Sequence, residues 1–89
     1  MRNKILFIVN PKSGTLKKTN WIAMATKMLA QEFDLEFQYT THRGHACELA
    51  QHAVSEGIPI IAAVGGDGTV NEIASALVHT DTALAILPL

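Results

Sequence analysis

Cysteine, aromatic side chains and long apolar runs are all scarce in this sequence. The one cysteine, Cys47, excludes an internal disulfide and suits a reducing compartment. The apolar run over residues 5–9 is too short for the core of a signal peptide or for a membrane span, and Asn10 and Pro11 end it. We therefore expect a soluble, cytoplasmic protein.

Acidic side chains are absent from residues 1–31, although that segment carries six basic ones: Arg2, Lys4, Lys12, Lys17, Lys18 and Lys27. Such a positive surface can steer nucleotide phosphates or lie against the anionic headgroups of a membrane. A solvated face without a partner is the alternative. Because the sequence has no basic stripe interleaved with aromatic residues, we do not expect nucleic acid binding.

The hydrophobic pattern predicts a single α/β domain in this 89-residue chain. Apolar runs predict strands over residues 4–10, 35–39, 59–64 and 83–87, and helical spacing predicts helices over 20–31, 46–57 and from 70 onward. The first strand is expected at the centre, the alternating second strand at an edge and the fourth in a buried position. Strands that alternate with helices predict a three-layer, Rossmann-like fold, with a mostly parallel sheet and helices on both faces.

Residues 65–73, with the sequence GGDGTVNEI, form the predicted turn between the third strand and third helix. Glycines there remove side chains that would keep a phosphate from the backbone and permit positive φ, and the first amides of the helix face the turn. Asp67 is the exception, because a carboxylate beside phosphate needs a metal ion, a hydroxyl or a proton. The alternative is a plain glycine turn in which Asp67 and Asn71 bond local backbone groups.

Two other loops follow predicted strands. Residues 10–14, NPKSG, combine a turn with a lysine that suits phosphate, and residues 40–45, TTHRGH, lead into the second helix. In a parallel sheet all three strand-to-helix loops emerge at one edge. Glycine amides, hydroxyls and Lys12 gathered there suit a nucleotide triphosphate, with Mg²⁺ as its companion.

Two histidines and the cysteine lie close together in sequence, at His42, His45 and Cys47. They lack a fourth ligand at a sensible spacing, so we predict no metal site. The expectation is two solvated loop histidines and a small buried thiol.

The GGDGTVNEI motif, together with NPKSG, resembles the signature of the diacylglycerol kinase catalytic domain family, which includes bacterial lipid kinases and sphingosine kinases. The resemblance implies transfer of the ATP γ-phosphoryl group to a lipid hydroxyl, such as that of diacylglycerol, in phospholipid biosynthesis. It places the nucleotide contact of the second loop at Thr40, with Thr41 as the alternative, and it makes Asp67 the candidate catalytic residue. The implied nucleotide-binding residues are Asn10, Pro11, Lys12, Ser13, Gly14, Thr40, Gly66, Asp67, Gly68, Thr69, Val70, Asn71 and Glu72.

The family is much longer than this chain, so residues 1–89 resemble its N-terminal nucleotide-binding lobe alone. A second lobe would carry the lipid site, and we expect the isolated lobe to be inactive and to self-associate through uncovered surface. Two alternatives remain open. One is a stand-alone nucleotide- or anion-binding module without catalysis. The other is an NAD kinase-like or phosphofructokinase-like enzyme, against which NPKSG and the Val70-Asn71-Glu72 continuation argue.

Overall fold

Strands and helices alternate along the chain in the computed structural model, which describes residues 3–12 and 21–87. The elements are β1 (Asn3–Val9), α1 (Trp21–Leu29), β2 (Phe33–Tyr39), α2 (His45–Ser55), β3 (Ile60–Val64), α3 (Asp67–Leu77) and β4 (Ala83–Ile86). The predicted order is confirmed. Most bounds lie within one or two residues of those that the periodicity predicted, but α3 begins three residues before the expected position.

The strands form one parallel sheet in the order β2-β1-β3-β4. Val9, the last residue of β1, lies opposite Tyr39 on one side and Val64 on the other, so three strands end at the same level. The chain leaves β1 toward β2 on one side and later returns to β3 on the other. This reversal opens a crevice at the carboxyl ends of the strands, where ligands bind in open α/β sheets.

The sheet separates two apolar cores. One face carries Leu6 and Ile8, against which α2 packs three buried alanines and α3 packs Ile73 and Leu77. The other face carries Phe7, stacked on Phe37 at a ring-centroid distance of 4.7 Å, with Ala25 of α1 in the same cluster. Helices therefore cover both faces, as predicted, and the alanines let α2 lie close to the sheet.

Two burial predictions are wrong. β4 is an edge strand, and Ile86 is 58% exposed because α3 covers β4 mainly at Leu84. The apolar residues that recur at helical spacing in α1 were expected to pack on the sheet but are only partly buried: Ala25 is in the core, whereas Met28 is 74% exposed. α1 has only nine residues and packs chiefly against the edge strand β2, so it covers a narrow part of the sheet. The edge position of β2 is confirmed.

Candidate functional site

The ends of β1, β2 and β3 are joined by backbone hydrogen bonds that extend the sheet into the loops. Asn10 donates its N–H to the carbonyl of Val64 at 2.9 Å, and Thr40 donates its N–H to the carbonyl of Val9 at 2.8 Å. The first residue of each of these two loops is thus fixed relative to its neighbouring strand. The convergence of the three loops at one sheet edge is therefore a property of the fold.

The first loop turns sharply after β1. The side-chain oxygen Oδ1 of Asn10 accepts the N–H of Lys12 at 3.0 Å, which is the geometry of an Asx turn. The turn brings Lys12 back toward the pocket described below, as phosphate binding would require. Pro11 lies at the exposed bend, and the predicted site residues Ser13 and Gly14 lie outside the described residues.

Gly65 is a packing position beside the pocket that sequence reasoning did not single out. A Cβ atom on Gly65 would lie 2.8 Å from Oγ1 of Thr69 and 3.1 Å from Cβ of Asn10. The first contact is shorter than real Cβ contacts, and the second is tighter than most of them, so a side chain on Gly65 would force Thr69 or Asn10 to move. The repeated glycines were a signal, but they do not tell packing glycines from ligand-facing ones.

Gly66 and Gly68 have the opposite surroundings, because a Cβ atom on either would meet no other atom within 4 Å. The expectation of positive φ in this turn is wrong: Gly66 has φ −90° and ψ −171°, and the positive-φ glycines among the described residues are Gly44 and Gly57. The turn needs no left-handed residue because Gly66 is extended and leads directly into α3. These two glycines leave open space beside the backbone.

α3 begins at Asp67 without a side-chain cap. Val70 donates its N–H to the carbonyl of Gly66 at 3.2 Å. The N–H groups of the helical residues before Val70 have no acceptor within the helix. The exposed Asp67 carboxylate lies in this first turn, where the helix dipole favours negative charge. Asp67 does not cap the helix, which removes the main structural role of the plain-turn alternative.

In the second loop, both candidate threonines face the site and the two histidines contact each other. The rings of His42 and His45 stack with centroids 4.4 Å apart and planes 10° apart. The hydroxyl of Thr41 lies 2.9 Å from Nδ1 of His42 and 3.3 Å from Nδ1 of His45. His42 is exposed, as predicted for a solvated loop histidine, whereas His45 is half-buried, and both rings are ordered by these contacts. Because these rings engage the Thr41 hydroxyl, Thr40 remains the better candidate for a ligand contact.

A pocket of about 260 Å³ lies where the three loops meet. Its walls are Asn10, Lys12, Thr40, Thr41, His42, Arg43, Ala46, Gly68, Thr69 and Glu72. It brings six of the predicted site residues together. The other described candidates lie outside this wall, namely Pro11, Gly66, Asp67, Val70 and Asn71, and Val70 instead packs against the core. Sequence reasoning did not select His42, Arg43 or Ala46, because a strand-to-helix loop of this kind does not show which side chains turn inward.

The charges around the pocket favour an anion with one acidic neighbour. Lys12 and Arg43 supply two cations, and Glu72 supplies a carboxylate. Within residues 3–12 and 21–87, no group of three or more His, Cys, Asp or Glu side chains is placed to hold a metal ion.

The thiol of Cys47, predicted to be buried, is only half-buried, and its Sγ atom lies 3.9 Å from Oγ of Ser75.

Comparison with known proteins identifies the family. The family model described as "Diacylglycerol kinase catalytic domain" matches residues 4–89. The chain belongs to this family. The match agrees with the lipid-kinase interpretation of GGDGTVNEI and NPKSG, and it leaves the NAD kinase-like alternative without support.

Relatives of this diacylglycerol kinase family chain include bacterial proteins named "Probable lipid kinase YegS-like". The protein from Klebsiella pneumoniae (strain 342) is 38% identical over 87 residues, covering 94% of this chain and 28% of the relative. One from Pseudomonas fluorescens is 34% identical over 88 residues, covering 97% of this chain and 29% of the relative. A crystal structure of a diacylglycerol kinase from Bacillus anthracis superposes with a TM-score of 0.76 at 36% identity, covering 97% of this chain and 32% of that one.

The chain therefore spans less than a third of the length of these relatives. In the part of the chain that the structure describes, no helix combines the length and the apolar character needed to cross a bilayer.

Proposed function

We propose that this chain is the ATP-binding lobe of a lipid kinase. The observation that carries the proposal is the pocket at the carboxyl ends of the strands, walled by all three loops, in a chain of the diacylglycerol kinase family. Its volume of about 260 Å³ is below the ~300–1,000 Å³ typical of whole small-molecule sites. The pocket thus suits the phosphates and part of the nucleoside, with the remainder of ATP lying outside it.

The phosphates would lie against Gly68 in the pocket wall and extend toward Gly66 just outside it, since no side chain occupies the space beside the backbone at either glycine. The amino end of α3 adds unpaired N–H groups and the positive end of the helix dipole. Lys12 supplies a mobile positive charge at the pocket wall, and Thr40 supplies a hydroxyl. Together with Arg43, these groups compensate the charge of a triphosphate.

Mg²⁺ fits this arrangement as an ion carried by the nucleotide. Asp67 and Glu72 are the two carboxylates of the GGDGTVNEI motif, and Mg²⁺ is commonly held by one or two carboxylates together with substrate phosphates. When bound, Mg²⁺ neutralises charge on the β- and γ-phosphates. The role of Asp67 and Glu72 would be to orient that ion or its water ligands, which explains why carboxylates lie beside a phosphate site.

In the proposed reaction, a lipid hydroxyl oxygen forms a bond to the γ-phosphorus while the bond from that phosphorus to the bridging oxygen breaks. The bridging electron pair stays with ADP, and a base takes the hydroxyl proton. The lipid substrate would be diacylglycerol or a related alcohol. We expect the groups that hold the lipid to lie in the part of the relatives that this chain does not match, so residues 1–89 alone would bind ATP without phosphorylating lipid.

The proposal is tested by calorimetric titration of the chain with Mg-ATP, comparing Lys12→Ala with Lys27→Ala. Lys12 lines the pocket, whereas Lys27 is an exposed residue in the last turn of α1 and serves as the matched control. We expect Lys12→Ala to weaken binding about three- to tenfold, since charge-assisted bonds contribute roughly 1.5–3 kcal/mol before solvent screening. Lys27→Ala should change affinity less than about twofold. Equal effects of the two substitutions, or no binding by the parent, would contradict the proposed site.

A further inference from the structure

The loop between β2 and α2 is closed by an unusual pair of hydrogen bonds. Thr40 still belongs to the sheet edge, but the backbone N–H of Thr41 donates to Nδ1 of His45 at 3.0 Å. In the reverse direction, the N–H of His45 donates to the carbonyl of His42 at 3.1 Å. The two bonds tie the first residue of α2 to the start of the loop.

The Thr41 N–H determines which nitrogen of the His45 ring carries the proton. A backbone N–H can only donate, so Nδ1 of His45 must be the acceptor, and the ring proton of the neutral imidazole is on Nε2. One assignment then satisfies the neighbouring ring as well. The Thr41 hydroxyl donates to Nδ1 of His42 at 2.9 Å, and the Nε2 atom of His42 faces the Glu48 carboxylate at 3.6 Å.

His45 joins α2 to the loop before it, although no side chain caps the helix. The N-cap residue, Gly44, has φ 85° and no side chain, and the helix start has no side-chain cap bond. The next residue, Ala46, is only 2% exposed and belongs to the core cluster under α2. His45 therefore projects from a rigidly anchored helix turn to a loop whose other residues are largely exposed. Through its bond to Thr41, His45 restrains the loop relative to the core.

We propose that His45 is a positioning residue for the nucleotide pocket. Its Nδ1 atom fixes the Thr41 backbone and so holds Thr41 and His42 in the pocket wall before ligand arrives, although His45 is itself outside that wall. A loop that is already ordered loses less conformational entropy on binding, which increases affinity. This inference rests on the proposed nucleotide site and adds a residue that the family motif did not indicate.

The test compares His45→Asn with His45→Gln. The Oδ1 atom of asparagine is as many bonds from Cβ as Nδ1 of histidine, so asparagine can accept the Thr41 N–H, whereas the oxygen of glutamine lies one bond further out. Helix propensity has the opposite order, because glutamine is the better helix former. A merely structural role in α2 therefore predicts that Gln is tolerated better, and the positioning role predicts that Asn is.

We expect His45→Gln and His45→Ala to weaken Mg-ATP binding by about two- to tenfold, the loss that one hydrogen bond produces. His45→Asn should stay within about twofold of the parent. His52→Ala removes an exposed histidine from the same helix, paired with Glu56 at 3.2 Å, and should leave affinity unchanged. Glutamine better than asparagine, or tighter binding by His45→Ala because the Thr41 N–H is freed for phosphate, would overturn the inference.

A measurement without nucleotide separates this inference from the proposed function. NMR of the ligand-free chain should show a nitrogen–nitrogen coupling across the hydrogen bond from Thr41 N to His45 Nδ1, with the Nδ1 atom unprotonated. If that coupling is present and the parent does not bind ATP, the loop geometry stands, but the proposed function and the positioning role both fail. If ATP binds and the coupling is absent, the positioning role alone is overturned.

Discussion

Thr69 occupies the space that a side chain on Gly65 would need. Its Oγ1 atom lies 2.8 Å from the position of a Cβ atom on Gly65, and Thr69 is only 6% exposed. Thr69 is in the first turn of α3, and Gly65 follows directly after β3. The contact therefore sets how closely the third helix approaches the end of its own strand, and with it the position of the α3 amides at the pocket.

Gly65→Ala should destabilise the fold. The added methyl group must displace Thr69 or Asn10, and inserting a methyl group into a packed site costs about 1–3 kcal/mol. Urea unfolding followed by circular dichroism measures the change. Gly68→Ala is the control, because an added Cβ there meets nothing within 4 Å and alanine is the better helix former. Equal stability of the two variants would contradict the packing role of Gly65.

Gly66→Val and Gly68→Val should leave the fold largely intact and weaken ATP binding at least about tenfold. Neither glycine has positive φ, and neither has a neighbour that a Cβ would strike, so the cost to stability is small. A valine at either position would occupy the space proposed for phosphate. Thermal unfolding measures the stability of each variant, and Mg-ATP titration of the same samples measures its affinity. Parent-like affinity of either variant would show that the phosphate lies elsewhere.

Most of the fold could be predicted because local signals agreed with one another. The apolar run of β1, the alternation in β2 and the helical spacing of α2 all pointed to the observed elements. Burial at the margins could not be predicted. Met28 follows the helical stripe of α1 but is exposed, because periodicity does not report how much of the sheet a short helix covers.

The candidate site could also be predicted only in part. The three loops could be placed at one sheet edge from topology alone, but the roles of the glycines could not be separated in sequence. Gly65 packs against Thr69, whereas Gly66 and Gly68 leave open space, and this distinction depends on distances across the fold. The bond from Thr41 to His45 likewise depends on a turn geometry that composition does not reveal.

Glu36 should give the fold a small pH dependence in the acid range. Hydrogen bonds from Lys4, at 3.1 Å, and from Gln38, at 2.7 Å, lower the pKa of Glu36 below its usual value. Since the folded pKa is lower than the unfolded one, this stabilisation is present above the unfolded pKa. It is lost as the pH falls through the folded pKa.

The effect should be no more than about 1 kcal/mol, because the Lys4 and Glu36 side chains are 45% and 37% exposed and solvent screens the pair. Urea unfolding of the parent and of Glu36→Gln across this acid range should show the two free energies of unfolding converging as pH falls. Glu32→Gln, at an exposed turn carboxylate, is the control. A constant gap between the parent and Glu36→Gln would contradict the assignment.

Asp67→Asn should change the dependence of ATP binding on Mg²⁺ and leave stability almost unchanged. The carboxylate is exposed and does not cap α3, so its loss should cost at most the ~0.3–1 kcal/mol of a favourable dipole interaction. Without Mg²⁺ the variant should bind ATP more tightly than the parent, because repulsion is relieved. With Mg²⁺ the parent should regain the advantage. Titrations with and without Mg²⁺ give the ratio of the two ATP affinities for each protein. The same ratio in the variant and the parent would exclude Asp67 from the ion's environment.

The central claim is that the three loops form one nucleotide site, and backbone amide NMR during a titration with Mg-ATP tests it most directly. We expect the earliest and largest shifts at Asn10, Thr40 and Gly68, which come from different loops and line the same pocket. Amides of β4, at the far edge of the sheet from β2, should shift little. All three loop amides should follow one binding curve. Shifts confined to β4 or α1, or separate curves for the loops, would contradict the account.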